Sequence, residues 1–118
     1  MIKTEIISGN VLRIVAPIKL YVDDFQQITP EVDSFISQHG KIRLLVDVSS
    51  FNGWNNAVAL LKHIQFIKDH HHNVERIAVV GARSWQHWVI GVIRMIVHPE
   101  VKSYDRSQQN EALQWIVG

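Results

Sequence analysis

No cysteine occurs anywhere in the chain, which excludes disulfides, thiolate metal sites and thiol nucleophiles. Net charge is nearly absent too, at a formal +1 with the histidines neutral. So small a charge supplies no field for steering toward nucleic acid or an anionic membrane, and it opposes self-association little. The opening Met1-Ile2-Lys3-Thr4-Glu5 lacks the apolar stretch of a secretory signal. The most apolar segment, from Trp85 to Val97, contains Gln86, His87 and Arg94. It is too short and too polar for a bilayer core of ~30 Å, so a cytoplasmic location is expected. There is no internal repeat, and the only low-complexity stretch is His70-His71-His72. Nucleophile elbow, P-loop, dinucleotide fingerprint and His-Glu-x-x-His are all missing. Asp47 is the one plausible buried acid, and nothing in the sequence pairs it with a base. An enzyme is therefore not expected, and neither is a cofactor.

What the chain does have is the composition of one globular domain spanning residues 1–118: 47% hydrophobic and 19% charged residues. Strands are expected over Ile2 to Ser8 and Val11 to Ile18, where Leu12, Ile14 and Ala16 alternate with Val11, Arg13 and Val15. Gly9-Asn10 supplies a tight hairpin turn, and Pro17 should fray the second strand. A helix capped by Asp23 follows, carrying Phe25, Ile28, Val32, Phe35 and Ile36 on one face, with a kink or break expected near Thr29-Pro30. Ile42 to Val48 reads as a buried strand. A helix from about Asn55 to Asp69 follows it, with Ala57, Leu60, Leu61, Ile64 and Ile67 as its core stripe. Phe66 falls on the other side of that helix, near Ala59 and His63. Glu75 to Gly81 holds the next strand. Ser84 opens a third helix to about Val97, Val101 to Tyr104 forms a last strand, and Ser107 caps a final helix burying Leu113, Trp115 and Ile116.

Alternating strands and helices of this kind predict an α/β domain. The expected sheet has about five strands and is mostly parallel, with an antiparallel N-terminal hairpin at its edge and four helices packed on it.

Several segments together resemble a known family. They are the opening hairpin, Gln38-His39-Gly40-Lys41-Ile42-Arg43-Leu44-Leu45-Val46-Asp47, the turn with Gly53-Trp54, and Glu75-Arg76-Ile77-Ala78-Val79-Val80 followed by Trp85. The chain looks like a stand-alone SpoIIAA-like domain of the STAS superfamily. That resemblance implies a strand–helix superhelix with strands adjacent in chain order. Better-known relatives are anti-sigma-factor antagonists that bind a kinase and are switched by phosphorylation of a serine in an Asp-Ser-Ser-Gly motif. Distant relatives on similar scaffolds bind lipids or nucleotides. Here Asp47-Val48-Ser49 is present, but the motif position reads Phe51-Asn52-Gly53-Trp54-Asn55-Asn56, with no serine where the phosphoacceptor would stand.

Three groups of residues are candidates for a site. The first is the turn between Asp47 and Asn56, at a strand's C-terminal end and before a helix N-terminus, a place where ligands collect. Ser49, Ser50, Asn52, Asn55 and Asn56 offer hydrogen bonds there, although turn and cap chemistry uses the same residues. Trp54 in that turn either covers the core edge or meets a partner. The second is the third helix. Its apolar arc of about 220° exceeds the ~100° stripe that one sheet face needs. The surplus, with Trp85, Trp88 and Met95, must meet neighbouring helices, a second subunit or an apolar ligand. The polar sector holds Gln86, His87, Arg94 and His98, of which His87 and Arg94 share a face and are candidate anion contacts. The third group is the histidines. Adjacent His70-His71-His72 point in different directions, and His63 lies about 10.5 Å along the helix from His70, so no metal site is expected. The composition and the resemblance favour a non-catalytic regulatory module that binds a protein partner or a second copy of itself. The alternative is a binder of an apolar small molecule or lipid near Trp54 and the third helix.

Overall fold

A five-stranded sheet in the order β1-β2-β3-β4-β5 carries the chain, each strand beside the one before it. The strands are β1 (Lys3–Ser8), β2 (Val11–Val15), β3 (Ile42–Asp47), β4 (Val74–Val80) and β5 (Glu100–Tyr104). β1 runs antiparallel to β2 through the Gly9-Asn10 turn, and every later pairing is parallel. The computed structural model describes residues 1–95 and 97–118, without the side chains of Ser84, Trp85, Trp88, Val89 and Val92. Among the described residues four α-helices connect or follow the strands: α1 (Val22–His39), α2 (Ala57–His70), α3 (Ser84–Arg94) and α4 (Gln109–Val117). The α/β architecture with a hairpin edge is the one the alternation of elements predicts.

Register explains the two faces of the sheet. Leu12, Leu44, Ile77 and Val101 stand side by side across β2 to β5. With Ile14, Val46 and Val79 they face α1, α2 and α3. Odd and even positions of a strand point opposite ways, so Val11, Leu45, Ala78 and Val80 lie on the reverse face. There they pack against Ala112 and Ile116 of α4. Arginines on that face hold the helix end. Arg43 donates to the carbonyl of Ile116 at 3.0 Å and Arg76 to that of Trp115 at 3.1 Å. These are final carbonyls of a helix, which have no acceptor role within it. The Arg76 and Lys102 cations also lie over the Trp115 ring.

Four local expectations need correction. Asp24, not Asp23, closes the start of α1, its carboxylate accepting from the Tyr21 N–H at 2.8 Å. No break occurs at Thr29-Pro30, and α1 runs through Pro30 as one helix. The proline sits on the exposed side with Gln26, so the carbonyl that loses its N–H partner faces water. Asp105, not Ser107, stands before the 3-10 turn that leads into α4, and its N–H donates to Gln108 Oε1 at 2.9 Å. β2 ends at Val15, two residues short of Pro17.

The largest correction concerns α2. Its expected core stripe points to solvent: Leu61 is 63% exposed and Ile64 54%, with Ala57, Val58 and Leu60 also exposed. Ala59 and His70 are buried instead, and Phe66 packs into the core. The reason is α1. Phe25 meets the rings of His63 and Phe66, and Asp33 Oδ1 lies 2.8 Å from His70 Nε2. Aromatic and hydrogen-bonded partners on the neighbouring helix outweigh the higher hydropathy of the leucine and isoleucine face.

Candidate functional site

Val46 and Ile77 belong to the two central strands of the sheet, yet both are only partly buried. Such positions are normally covered completely by the helices above them. They are open here because an apolar chamber of about 220 Å³ lies over them. Its floor also includes Ile14, Leu44 and Val79. Phe25 and Ile28 of α1, Phe66 and Ile67 of α2, and Ile90 and Ile93 of α3 also line it. An engineered cavity of about 150 Å³ lined by such residues stays dry and takes up benzene, so this chamber is large enough for a ring or a short chain.

Trp54 and Phe51 form its end wall, their rings set edge to face at 5.2 Å. The turn that carries them is fastened to the segment after β2. Asn52 N–H donates to Ile18 O, Leu20 N–H to Gly53 O, and Asn55 N–H to Leu20 O. This short ladder fixes the backbone of Trp54, whose indole N–H donates to His63 Nδ1 at 3.1 Å. His63 also stands against Phe25 and borders the chamber. Burial among these rings disfavours its charged form and lowers its pKa from 6.5 to about 4. Gln86 is the third polar side chain at the wall. It was expected on the polar sector of α3 with His87, but it is buried, because its amide donates to Phe51 O at 3.0 Å and accepts from Arg83 N–H at 2.7 Å.

The other candidates of the turn separate from Trp54. Asn56 caps α2, its side-chain oxygen accepting from Ala59 N–H at 2.9 Å. Asn52 and Asn55 are exposed, and Asn52 Oδ1 accepts from Arg83 at 3.3 Å. Asp47 accepts from Ser49 N–H at 2.9 Å and lies 3.6 Å from Arg13, so its carboxylate serves the turn and an ion pair on the reverse sheet face. Ser50 is exposed, whereas Ser49 Oγ is buried with no hydrogen-bond partner among the described residues.

Ile90 and Ile93 of α3 face the chamber, and Met95, just after the helix, is 86% exposed. The side chains of Trp85 and Trp88 lie outside the described residues. His87 and Arg94 are both exposed, and the structure brings no bond between them. His87 Nδ1 instead lies 3.3 Å from Ser103 Oγ. Among the described residues no group of three or more His, Asp or Glu side chains is placed to hold a metal. No helix of the described residues is long and apolar enough to cross a membrane.

The sequence singles out Trp54 and sets Phe66 apart from the expected core stripe, but it does not mark His63 or Gln86 as site residues. A signal for His63 is present: Ala59, His63, Phe66 and His70 recur at spacings of four, three and four, which is a helical face in its own right. It was outranked by the neighbouring face, which is richer in leucine and isoleucine.

The SpoIIAA-like family profile matches residues 11–117. Among solved structures, an uncharacterized protein of Shewanella loihica PV-4 with a SpoIIAA-like fold superposes with a TM-score of 0.82 at 24% identity, over 98% of this chain and 92% of that one. The anti-sigma factor antagonist SpoIIAA in its unphosphorylated form gives 0.66 at 12% identity, over 100% and 99% of the two chains. The Bacillus cell fate determinant SpoIIAA in its phosphorylated form gives 0.59 at 10%, over 96% and 99%. At such identities these likenesses concern the fold alone. No curated protein matches the sequence.

Proposed function

The chain belongs to the SpoIIAA-like family, and we propose that it is a non-catalytic binding module whose chamber holds an apolar small molecule or the apolar end of a lipid. One observation carries this reading: Val46 and Ile77 lie half-covered in the middle of the sheet, beneath unfilled space lined almost wholly by hydrocarbon and aromatic side chains. A void of that size in a core costs packing energy in proportion to its volume, which an occupant of matching shape restores. The polar groups at the wall support a binding role over a catalytic one. Trp54 and Gln86 are engaged in bonds that hold the wall together, and Asp47 points to the other sheet face.

The test is a titration with aminoanthracene, a neutral fluorescent ring system of fitting size, alongside native mass spectrometry of freshly purified protein. Saturable binding to the native chain is expected, weakened about tenfold or more by Ile77→Phe, which fills the chamber from its floor. If the dye does not bind, or binds Ile77→Phe equally well, the chamber is not the site.

A second reading, contact with a protein partner or a second copy of the chain, is favoured by the exposed apolar residues Leu61 and Ile64 on α2 and Met95 after α3. The protein named SpoIIAA is an anti-sigma factor antagonist, a role exercised on another protein. Of the two serines after β3, Ser50 is the one open to a modifying enzyme. Sedimentation at high micromolar concentration tests the self-association. A mass above the monomer that returns to it on Leu61→Ser and Ile64→Ser supports the reading, and a monomer throughout removes it.

A further inference from the structure

The chamber is apolar but not devoid of polar atoms. Among the described residues, three of its bordering side chains, Trp54, His63 and Gln86, can donate a hydrogen bond. Trp54 spends its single N–H on His63 Nδ1, and Gln86 binds Phe51 O and Arg83 N–H. An indole N–H can only donate, so His63 Nδ1 must be the acceptor, and the neutral ring then carries its proton on Nε2. That Nε2–H has no hydrogen-bond partner among the described residues.

We infer that His63 is a specificity-determining residue. It offers its Nε2–H to the occupant, and the chamber therefore selects neutral apolar molecules that carry a carbonyl oxygen. The inference rests on the chamber being a binding site and adds the chemical class of what it binds. The tautomer is set by Trp54, and the ring is held between Phe25, with centroids 5.3 Å apart, and Trp54 at 5.9 Å, so the donor is positioned before any ligand arrives. Among the described residues no lysine or arginine borders the chamber, which leaves a carboxylate without a counter-charge. Burial keeps His63 from supplying one. A carbonyl fits both constraints, accepting one hydrogen bond while remaining uncharged.

The experiment compares three probes of nearly equal size, cyclohexanone, methylcyclohexane and cyclohexanecarboxylate, on the native chain and on His63→Phe. NMR of the imidazole nitrogens is the direct readout. The free native protein should show the Nε2-protonated tautomer at His63. Cyclohexanone should shift that nitrogen, and methylcyclohexane should leave it in place. The preference for cyclohexanone over methylcyclohexane should fall about five- to tenfold in His63→Phe, the loss expected for one buried hydrogen bond, and the carboxylate should bind weakest. Equal preference in both proteins, an Nδ1-protonated ring, or strongest binding of the carboxylate overturns the assignment. Failure of every probe to bind instead removes the chamber as a site, and this inference with it. Should His63→Phe not fold, the nitrogen shifts of the native protein decide alone.

Discussion

The indole N–H of Trp54 donates to His63 Nδ1 at 3.1 Å, joining the turn after β3 to the inner face of α2. The two residues are nine apart in sequence and belong to different elements. Their bond lets the turn act as an end wall instead of a free loop. It also sets which nitrogen of the imidazole carries the proton. Packing and tautomer thus depend on one contact.

That contact has a pH signature. In the unfolded chain His63 titrates near 6.5, and in the folded chain near 4, because burial penalises the cation. Between these values the unfolded state takes up a proton that the fold refuses, so stability falls as pH drops from 6.5 toward 4 and, as far as His63 is concerned, levels off below. The full loss is on the order of 3 kcal/mol. Urea midpoints at about pH 7.5 and about pH 4.5 should therefore differ more for the native chain than for His63→Phe. Identical pH dependence in both proteins would mean that His63 titrates freely.

A second expectation reverses what hydropathy suggests for α2. Leu61→Ser should change stability by no more than about 0.5 kcal/mol, since its side chain meets water. Phe66→Ala should cost about 3 kcal/mol or more by emptying a packed position beside Phe25. Chemical denaturation of both variants checks the pair, and the opposite ranking would put the leucine face inward after all.

This helix marks where sequence stops being informative. The strands were legible because their signal is local: alternation in β2 specifies existence and face, and the short apolar runs Leu44-Leu45-Val46 in β3 and Ile77-Ala78-Val79-Val80 in β4 specify existence. The face of α2 was not, because two helical stripes compete within it. The winner depends on Phe25 and Asp33, which lie in another element. Gln86 was misplaced for the same reason, since its burial depends on Phe51 O and Arg83 N–H supplying both ends of its amide. Trp54 could be singled out as unusual in a polar turn, but the chamber beside it is a property of how three helices sit over one sheet face, and no window of residues encodes that.

Arg43 is the anchor of the opposite face. Its guanidinium reaches Glu75 at 3.1 Å and the carbonyls of Ile116 and Val117 at 3.0 and 3.4 Å, tying β3 to the last turn of α4. Arg43→Met keeps the apolar stem and removes the donors, so it should cost about 1–3 kcal/mol. The loss should appear first as faster amide exchange in α4, while the chamber and its ligand affinity on the other face stay unchanged. Weakened ligand binding would show that the two faces are coupled.

Gly81 ends β4 with φ +83°, a left-handed conformation that L side chains rarely adopt, and its N–H donates to Tyr104 O at 3.0 Å. A Cβ built there would overlap Ser49 Oγ and come within 2.9 Å of Ser49 Cα. Backbone strain and steric overlap therefore act together, and Gly81→Ala should lose about 2–4 kcal/mol. Gly81→Asn separates the two causes. Asparagine tolerates the left-handed region better than alanine, but it carries the same Cβ into Ser49. If overlap dominates, the two variants are similarly destabilised in urea unfolding. If asparagine restores most of the loss, dihedral strain is the larger effect, and the backbone of Ser49 has room to yield.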